Sequence, residues 1–190
     1  MKNLAVPLND TSNFYISTGT GSSKGIELTI TQKMTDNFYL LANYTLSQSI
    51  RKDSVAGNVY PFKYDARHTF NTIITYKHNK WWELSIISRF ASGFPFTPYD
   101  ISTRKEIGNI WTCQLGAKNS ERLPYYFRLD LRIDRKFVFK NWNLCPYLEI
   151  WNVTNNNNVM AYDYNSDFTQ KEEIPTMFKF MPMFGLSAVF

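Results

Sequence analysis

The stretch YYFRLDLRIDRKF, Tyr125 to Phe137, decides the fold. Charges fall at Arg128, Asp130, Arg132 and Asp134, with Phe127, Leu129, Leu131 and Ile133 between them. Strict alternation of this kind is the mark of a strand with one apolar and one polar face. In a soluble sandwich the apolar face meets a second sheet and the charged face meets water. In a membrane barrel the apolar face meets lipid and the charged face meets a wet lumen. Along this strand the charges alternate in sign, so the polar wall is nearly neutral along its length. Such a wall suits a lumen filled by another polar body, with neighbouring strands supplying partners such as Glu149.

Six further segments alternate in the same way: Gly25–Met34, Phe38–Ser49, Arg67–Lys77, Trp81–Ala91, Asn143–Val153 and Phe180–Phe190. The seven are about 10 to 12 residues long, the length a tilted membrane strand needs, whereas soluble strands average nearer five or six. Their connections are unequal in a regular order. Thr35-Asp36-Asn37, His78-Asn79-Lys80 and Lys140-Asn141 read as tight turns. They alternate with long loops over residues 50–66, 92–124 and 154–179. Short turns on one side and long loops on the other are the rhythm of an outer-membrane barrel.

Composition agrees. Only 19% of residues are charged and 17% are aromatic, against about 25% charged in an ordinary soluble domain. Mean hydropathy is −0.35, and no run of about 20 apolar residues exists to form a membrane helix. The net charge is +5, but the basic residues are scattered and form no nucleic-acid stripe. The aromatics Phe38, Tyr76, Trp81, Trp82, Phe137, Phe139 and Trp142 crowd the short turns, as a girdle at one membrane interface does. Lumen-facing polar positions are then Glu27, Arg89, Arg128, Asp130, Arg132, Asp134 and Glu149.

The ends set a topology. With short turns in the periplasm, the last strand descends to end there, and the first strand also descends. Seven strands do not close, so strands are expected from upstream sequence or another chain. Asn13–Thr18 could be the tail of an eighth, rising strand. MKNLAVPLND is too weakly apolar for a signal peptide, and any export signal is expected elsewhere.

SSKGIELTITQKMTDNFYLLANYTLSQS, YDARHTFNTIITYK, FASGFPFTPYD, ERLPYYFRLDLRIDRKF, LEIWNVTNNNNV and the closing FGLSAVF cover most of residues 22–190. In order and spacing they resemble the C-terminal part of the barrel of TonB-dependent outer-membrane receptors, especially the Bacteroidetes type. The resemblance implies an all-β, antiparallel transmembrane β-barrel meander of 7–8 strands, spanning residues 1–190, from a 22-stranded barrel with its plug domain absent. It implies a Gram-negative outer-membrane location and uptake of a scarce ligand: a siderophore, haem, cobalamin or a glycan. The implied partners are lipid, the upstream strands and plug, TonB through that plug, and the barrel-assembly machinery. Phe184, Leu186, Ala188 and Phe190 resemble the membrane-insertion signal of such barrels. The chain departs from the family in lacking a plug, a TonB-contacting box and two thirds of the strands. By itself it is expected to transport nothing.

Other motifs carry little chemistry. Cys113 and Cys145 are not spaced for metal, and their disulfide state is open. His68 and His78 have no triad or ligand partners in the pattern, and loop hydrogen bonding is their expected role. Asp163, Asp167, Glu172 and Glu173 in the last loop lack a calcium-loop spacing and read as solvated charge. Three sequons, at Asn9, Asn43 and Asn152, are chance matches in a bacterial barrel. Nothing indicates an enzyme, a cofactor, a metal or a nucleic-acid partner. Ligand contact is expected in the loops, where Tyr60, Phe62, Tyr64, Phe94, Phe96, Tyr99 and Trp111 gather. They form either an outer vestibule for a ligand or lipoprotein, or an upper girdle with loop self-packing. The competing readings are a complete eight-stranded barrel of structural or adhesive role and a soluble β-sandwich binding module.

Overall fold

The structure, a computed structural model, describes residues 4–7, 15–35, 37–53, 56–177 and 179–190. Its strands are β1 (Leu4–Pro7), β2 (Tyr15–Thr35), β3 (Phe38–Lys52), β4 (Val59–Pro61), β5 (His68–Lys77), β6 (Trp82–Ala91), β7 (Pro95–Phe96) and β8 (Tyr99–Ile107), then β9 (Ile110–Leu115), β10 (Glu121–Arg122), β11 (Tyr126–Arg135), β12 (Phe137–Val138), β13 (Asn143–Trp151), β14 (Val159–Tyr164), β15 (Lys171–Pro175) and β16 (Met181–Val189). No helix among them is long and apolar enough to cross a membrane.

The fold is all-β and antiparallel. Seven long strands pair in sequence order as a meander, β2-β3-β5-β6-β11-β13-β16. They correspond to the seven alternating segments of the sequence. Five of them, from β5 onward, are one to three residues shorter than the alternation predicts. The first two run longer: β2 starts ten residues before Gly25, and β3 continues to Lys52. Residues Tyr15–Thr18 therefore belong to β2, the descending strand itself, and not to a separate rising strand. Asn13 and Phe14, Asp36 of the first turn, and the Asn9 sequon lie outside the described residues.

Register separates two faces. On one, Leu28, Tyr44, Phe70, Phe90 and Phe127 stand side by side. A lower row runs Leu40, Ile74, Ile86, Leu131 and Ile150, and a third runs Phe38, Tyr76, Leu84, Ile133, Leu148 and Phe184. Thr72 and Ser88 interrupt the middle line, Ile30-Ala42-Thr72-Ser88-Leu129, and Gln32, His68 and Arg135 stand at the ends of other rows. Among the described residues no second sheet covers this face: Ile26 is 73% exposed and Phe184 88%. An uncovered apolar face of this extent does not suit water; it suits lipid.

The opposite face is built mainly of Thr, Asn, Ser and charged residues, crossed by one apolar line, Leu41-Ile73-Ile87, that ends at Asp130. Its rows include Glu27-Thr45-Thr69, Thr29-Asn43-Asn71-Arg89-Arg128 and Thr75-Ser85-Arg132-Glu149. Among the described residues β16 pairs β13 alone, and β2 pairs β1 only over Tyr15–Gly19 and β3 alone below it. All three short connections lie at one end and all three long ones at the other.

Candidate functional site

The polar face concentrates its charges on β11. Asp130 is 3% exposed and accepts from the Arg128 Nε at 2.7 Å and from the Asn152 backbone N–H at 2.9 Å. The i, i+2 spacing puts both side chains on one face of the strand, so the pair is written into the alternation. Arg128 also lies 4.2 Å over the Trp151 ring. One step along, Arg132 donates twice to Asp134, at 2.9 and 2.7 Å, and once across to Glu149 at 3.4 Å. The fork of the guanidinium fits a carboxylate bidentately. Its plane covers the Tyr147 ring at 3.9 Å, and Tyr147 in turn lies over Gly185, where any Cβ would strike the ring at 2.4 Å. Lys77 pairs with Glu83 at 3.7 Å.

Glu27 and Arg89 share this face by register but stand apart from those pairs. Arg89 is cross-strand from both Asn71 and Arg128. It borders a cavity of about 350 Å³ with Asn43, Asn71 and Ile73. All seven polar positions named from the sequence thus lie on one face. The result is a polar, internally paired surface with one open arginine.

The long connections form the second candidate region, and they are not plain loops. β4 extends the sheet beside β3, β7 pairs β10, and two hairpins rise as β8/β9 and β14/β15. The seven loop aromatics named from the sequence lie here and pack mainly on loop neighbours. Lys118 sits over Tyr60 at 4.4 Å, and Arg51 over Phe62 at 4.0 Å. Tyr64 packs edge-on against both Phe62 and Phe94. Phe96 meets Tyr162 at 5.1 Å. Tyr99 meets Tyr164 at 5.0 Å and Phe168 at 4.8 Å. Trp111 lies 3.9 Å beneath Arg104, which reaches across to Asp167. A cavity of about 440 Å³ remains between the hairpins, walled by Tyr99, Arg104, Tyr164, Phe168 and Lys171.

Burial raises the proton affinity of the Tyr162 and Tyr164 hydroxyls, and Glu173 and Glu121 add to it. Asp167 goes the other way. The Thr169 hydroxyl and backbone N–H bond its carboxylate, Arg104 lies nearby, and its affinity for a proton falls. Asp167 is therefore a hairpin contact and not merely a solvated loop charge.

Three buried polar residues escape a reading from sequence. Asp65 in YDARH is 2% exposed; it accepts from the Ser49 N–H and is flanked by Arg122 and Arg67. Arg122 also donates to the carbonyls of Asp65 and Gly93. Gly93 is required by this closeness, since an added Cβ would lie 1.6 Å from the Leu123 carbonyl oxygen. Asn158 is 2% exposed and grips the Phe127 backbone at both N–H and C=O, at 2.8 and 2.9 Å. Asn152 is 1% exposed with φ at 50°, and its side chain bonds Thr154 and Asn156. Its burial also closes the sequon there. Only the asparagine run NVTNNNNV carried a signal, because asparagine tolerates positive φ and bonds its own turn.

The remaining sequence positions sort simply. Phe38 pairs Tyr76 across β3 and β5. Trp81 precedes β6 and Trp82 opens it, Arg135 lying 4.5 Å over Trp82 and 4.8 Å over Phe137. Phe139 stacks on Trp142, and Trp142 on Phe190. Phe184, Leu186 and Ala188 register with Leu148, Pro146 and Leu144 on β13. His68 Nδ1 is 2.8 Å from the Tyr44 hydroxyl. Cys113 and Cys145 are free thiols. Among the described residues no cluster of three or more His, Cys, Asp or Glu is gathered to hold a metal.

No protein-family model matches the chain, and no curated protein does. Among solved structures, the ferric-catecholate import receptor Fiu from E. coli K12, in its closed form, matches with a TM-score of 0.57. The match covers 98% of this chain and 23% of the receptor, at 16% identity. The fold is that of a stretch of receptor β-barrel wall. Fiu is named as an import receptor, and at 16% identity the likeness carries to this chain the fold alone.

Proposed function

We propose that this chain is a wall segment of a TonB-dependent outer-membrane receptor, acting in uptake of a scarce ligand. The observation that carries the reading is the meander itself: long antiparallel strands, one face apolar and uncovered, the other polar and internally paired. The likeness to a receptor of which the chain spans 23% supports it. The apolar face then lies in the lipid of a Gram-negative outer membrane, with the short-turn aromatics at the periplasmic interface. The polar face turns to the lumen, which the plug of the parent receptor fills, and TonB acts through that plug. The hairpin cap faces outward, and its cavity is the place for ligand contact. Phe184, Leu186, Ala188 and Phe190 are offered to the barrel-assembly machinery. Among siderophore, haem, cobalamin and glycan, no observation favours one. The Bacteroidetes subtype rests on the sequence resemblance alone, the solved structure being from E. coli.

The experiment is partition. The expressed chain is expected to refold in detergent with β-rich circular dichroism and to precipitate when detergent is removed. A monodisperse soluble monomer in plain buffer would overturn the proposal in favour of a sandwich module.

A further inference from the structure

We infer that the short-turn end of the apolar face carries a binding site for the phosphate of an anionic phospholipid, held by Arg135 and Lys136 beside Trp81. The inference rests on the membrane reading above and names the lipid that the segment selects.

Arg135 is the anomaly of its face. By register it belongs with Ile133 and Phe137 among apolar residues, cross-strand from Trp82. On the polar face Lys77, Arg128 and Arg132 each hold an acid. Arg135 holds rings instead, Trp82 and Phe137, and no carboxylate. An arginine on a lipid-facing surface is costly at the bilayer midplane and nearly free at the interface. Arg135 is the last residue of β11, level with the aromatic belt, where phosphates lie.

The charge around it is mostly basic, although Lys136 also borders a second cavity with Glu83 and Asp134. Lys80, Arg135, Lys136 and Lys140 fall at this end without an ion-pair partner among the described residues. The nearby acids are taken: Glu83 by Lys77 and Asp134 by Arg132. A cavity of about 240 Å³ lies open there, walled by Trp81, Arg135, Lys136, Phe137, Val138 and Phe139. Its rings can accept the first carbons of acyl chains, and its two cations can accept a phosphodiester. The Lys136 backbone N–H donates to the Trp81 carbonyl at 2.7 Å, which fixes cation and ring side by side. Basic residues beside an aromatic belt are the footprint of anionic headgroup recognition. A net-neutral headgroup offers the same phosphate with its charge already compensated, so phosphatidylglycerol-type lipids are preferred to phosphatidylcholine.

The test places the refolded chain in phosphatidylcholine vesicles containing a minor share of brominated phosphatidylglycerol or brominated phosphatidylcholine, and reads tryptophan quenching. The expected enrichment of the anionic lipid is about fivefold for each cation that reaches the phosphate. It should fall with added salt, and it should drop to parity in the Arg135→Gln, Lys136→Gln double variant with insertion retained. Equal quenching by the two brominated lipids in the unmodified chain overturns the site while leaving the membrane reading intact. So does an undiminished preference in the variant. If the double variant does not fold, Lys136→Gln alone must lower the preference about fivefold or the site is refuted. Displacement of the lipid by soluble glycerol phosphate would reassign the site to free phosphate and overturn the lipid proposal. Failure to enter vesicles of either composition overturns the membrane reading and the site together.

Discussion

At the scale of single residues, the most sensitive position is Asp130. It is nearly fully buried, bonds Arg128, and also receives the Asn152 N–H that starts the NVTNNNNV turn. Removing one member of a buried charge pair leaves the other uncompensated and costs about 3–5 kcal/mol. Asp130→Ala is therefore expected to lower the unfolding free energy of the detergent-refolded chain, read from its urea transition, by that amount, whereas Glu27→Ala, exposed and without an ion pair among the described residues, should change it little. Equal midpoints for the two variants would show that the Arg128–Asp130 pair does not anchor the turn. Asp167 gives a second prediction, in pH. Its folded proton affinity lies below the ordinary value of 3.8, first through the Thr169 hydroxyl and then through the Thr169 N–H and Arg104. A depressed carboxylate contributes stability above its unfolded value and loses it as pH falls through the folded one. The β8/β9 and β14/β15 hairpins should stay docked at neutral pH and begin to separate below about 3.8. Trp111 emission would report this, since Arg104 covers its ring. An Asp167→Asn chain should show no such acid transition.

At the scale of elements, the two faces of a strand make opposite predictions from adjacent positions. Ile86 stands mid-strand on the apolar face, between Ile74 and Leu131. Ser85 stands on the polar face, bonded to Thr75 and cross-strand from Arg132. An arginine facing lipid near the midplane costs about 2–4 kcal/mol. Ile86→Arg should therefore abolish or strongly weaken refolding into vesicles, while Ser85→Arg should be tolerated. The reverse order would invert the assignment of faces. This alternation is why the seven long strands are legible in the sequence: a period of two over ten residues, with one face uncovered, leaves few other structures. What alternation cannot show is the upper part of β2, where YISTGTGSSK has small and polar residues on both sides, so no face is marked. Nor can it show β4, β7 or β10, each of two or three residues. The cap was legible as a place but not as a structure. Its aromatics read equally as ligand contacts or as packing, and their partners, such as Tyr162 for Phe96, lie far along the chain. Asp65, Asn152 and Asn158 were illegible for a related reason. Polar residues in connections read as solvated unless the groups that bury them are already known.

At the scale of the whole molecule, the decisive number is the count of long strands. Consecutive strands of the meander are antiparallel, so β2 and β16, first and seventh, run in the same direction. Closing the sheet on itself would require those two to pair in parallel, against every other contact in the wall. Two copies joined head to tail about an axis along the strands meet the same conflict, because β16 of one would again lie parallel to β2 of the next. β1 already lies antiparallel to β2, but only over Tyr15–Gly19; over the rest of that edge antiparallel closure needs an odd number of further strands, which agrees with the proposed wall segment of a larger barrel. Unpaired edges also invite association with other chains. The chain alone, refolded in detergent, is therefore expected to give no shift in gel mobility between boiled and unboiled samples, since such shifts report a closed barrel. Supplying antiparallel strands of even number should not restore one, and an odd number of sufficient length should. A boiled-versus-unboiled shift from the chain alone would mean that β2 and β16 find each other, and the directional argument from seven strands would fail.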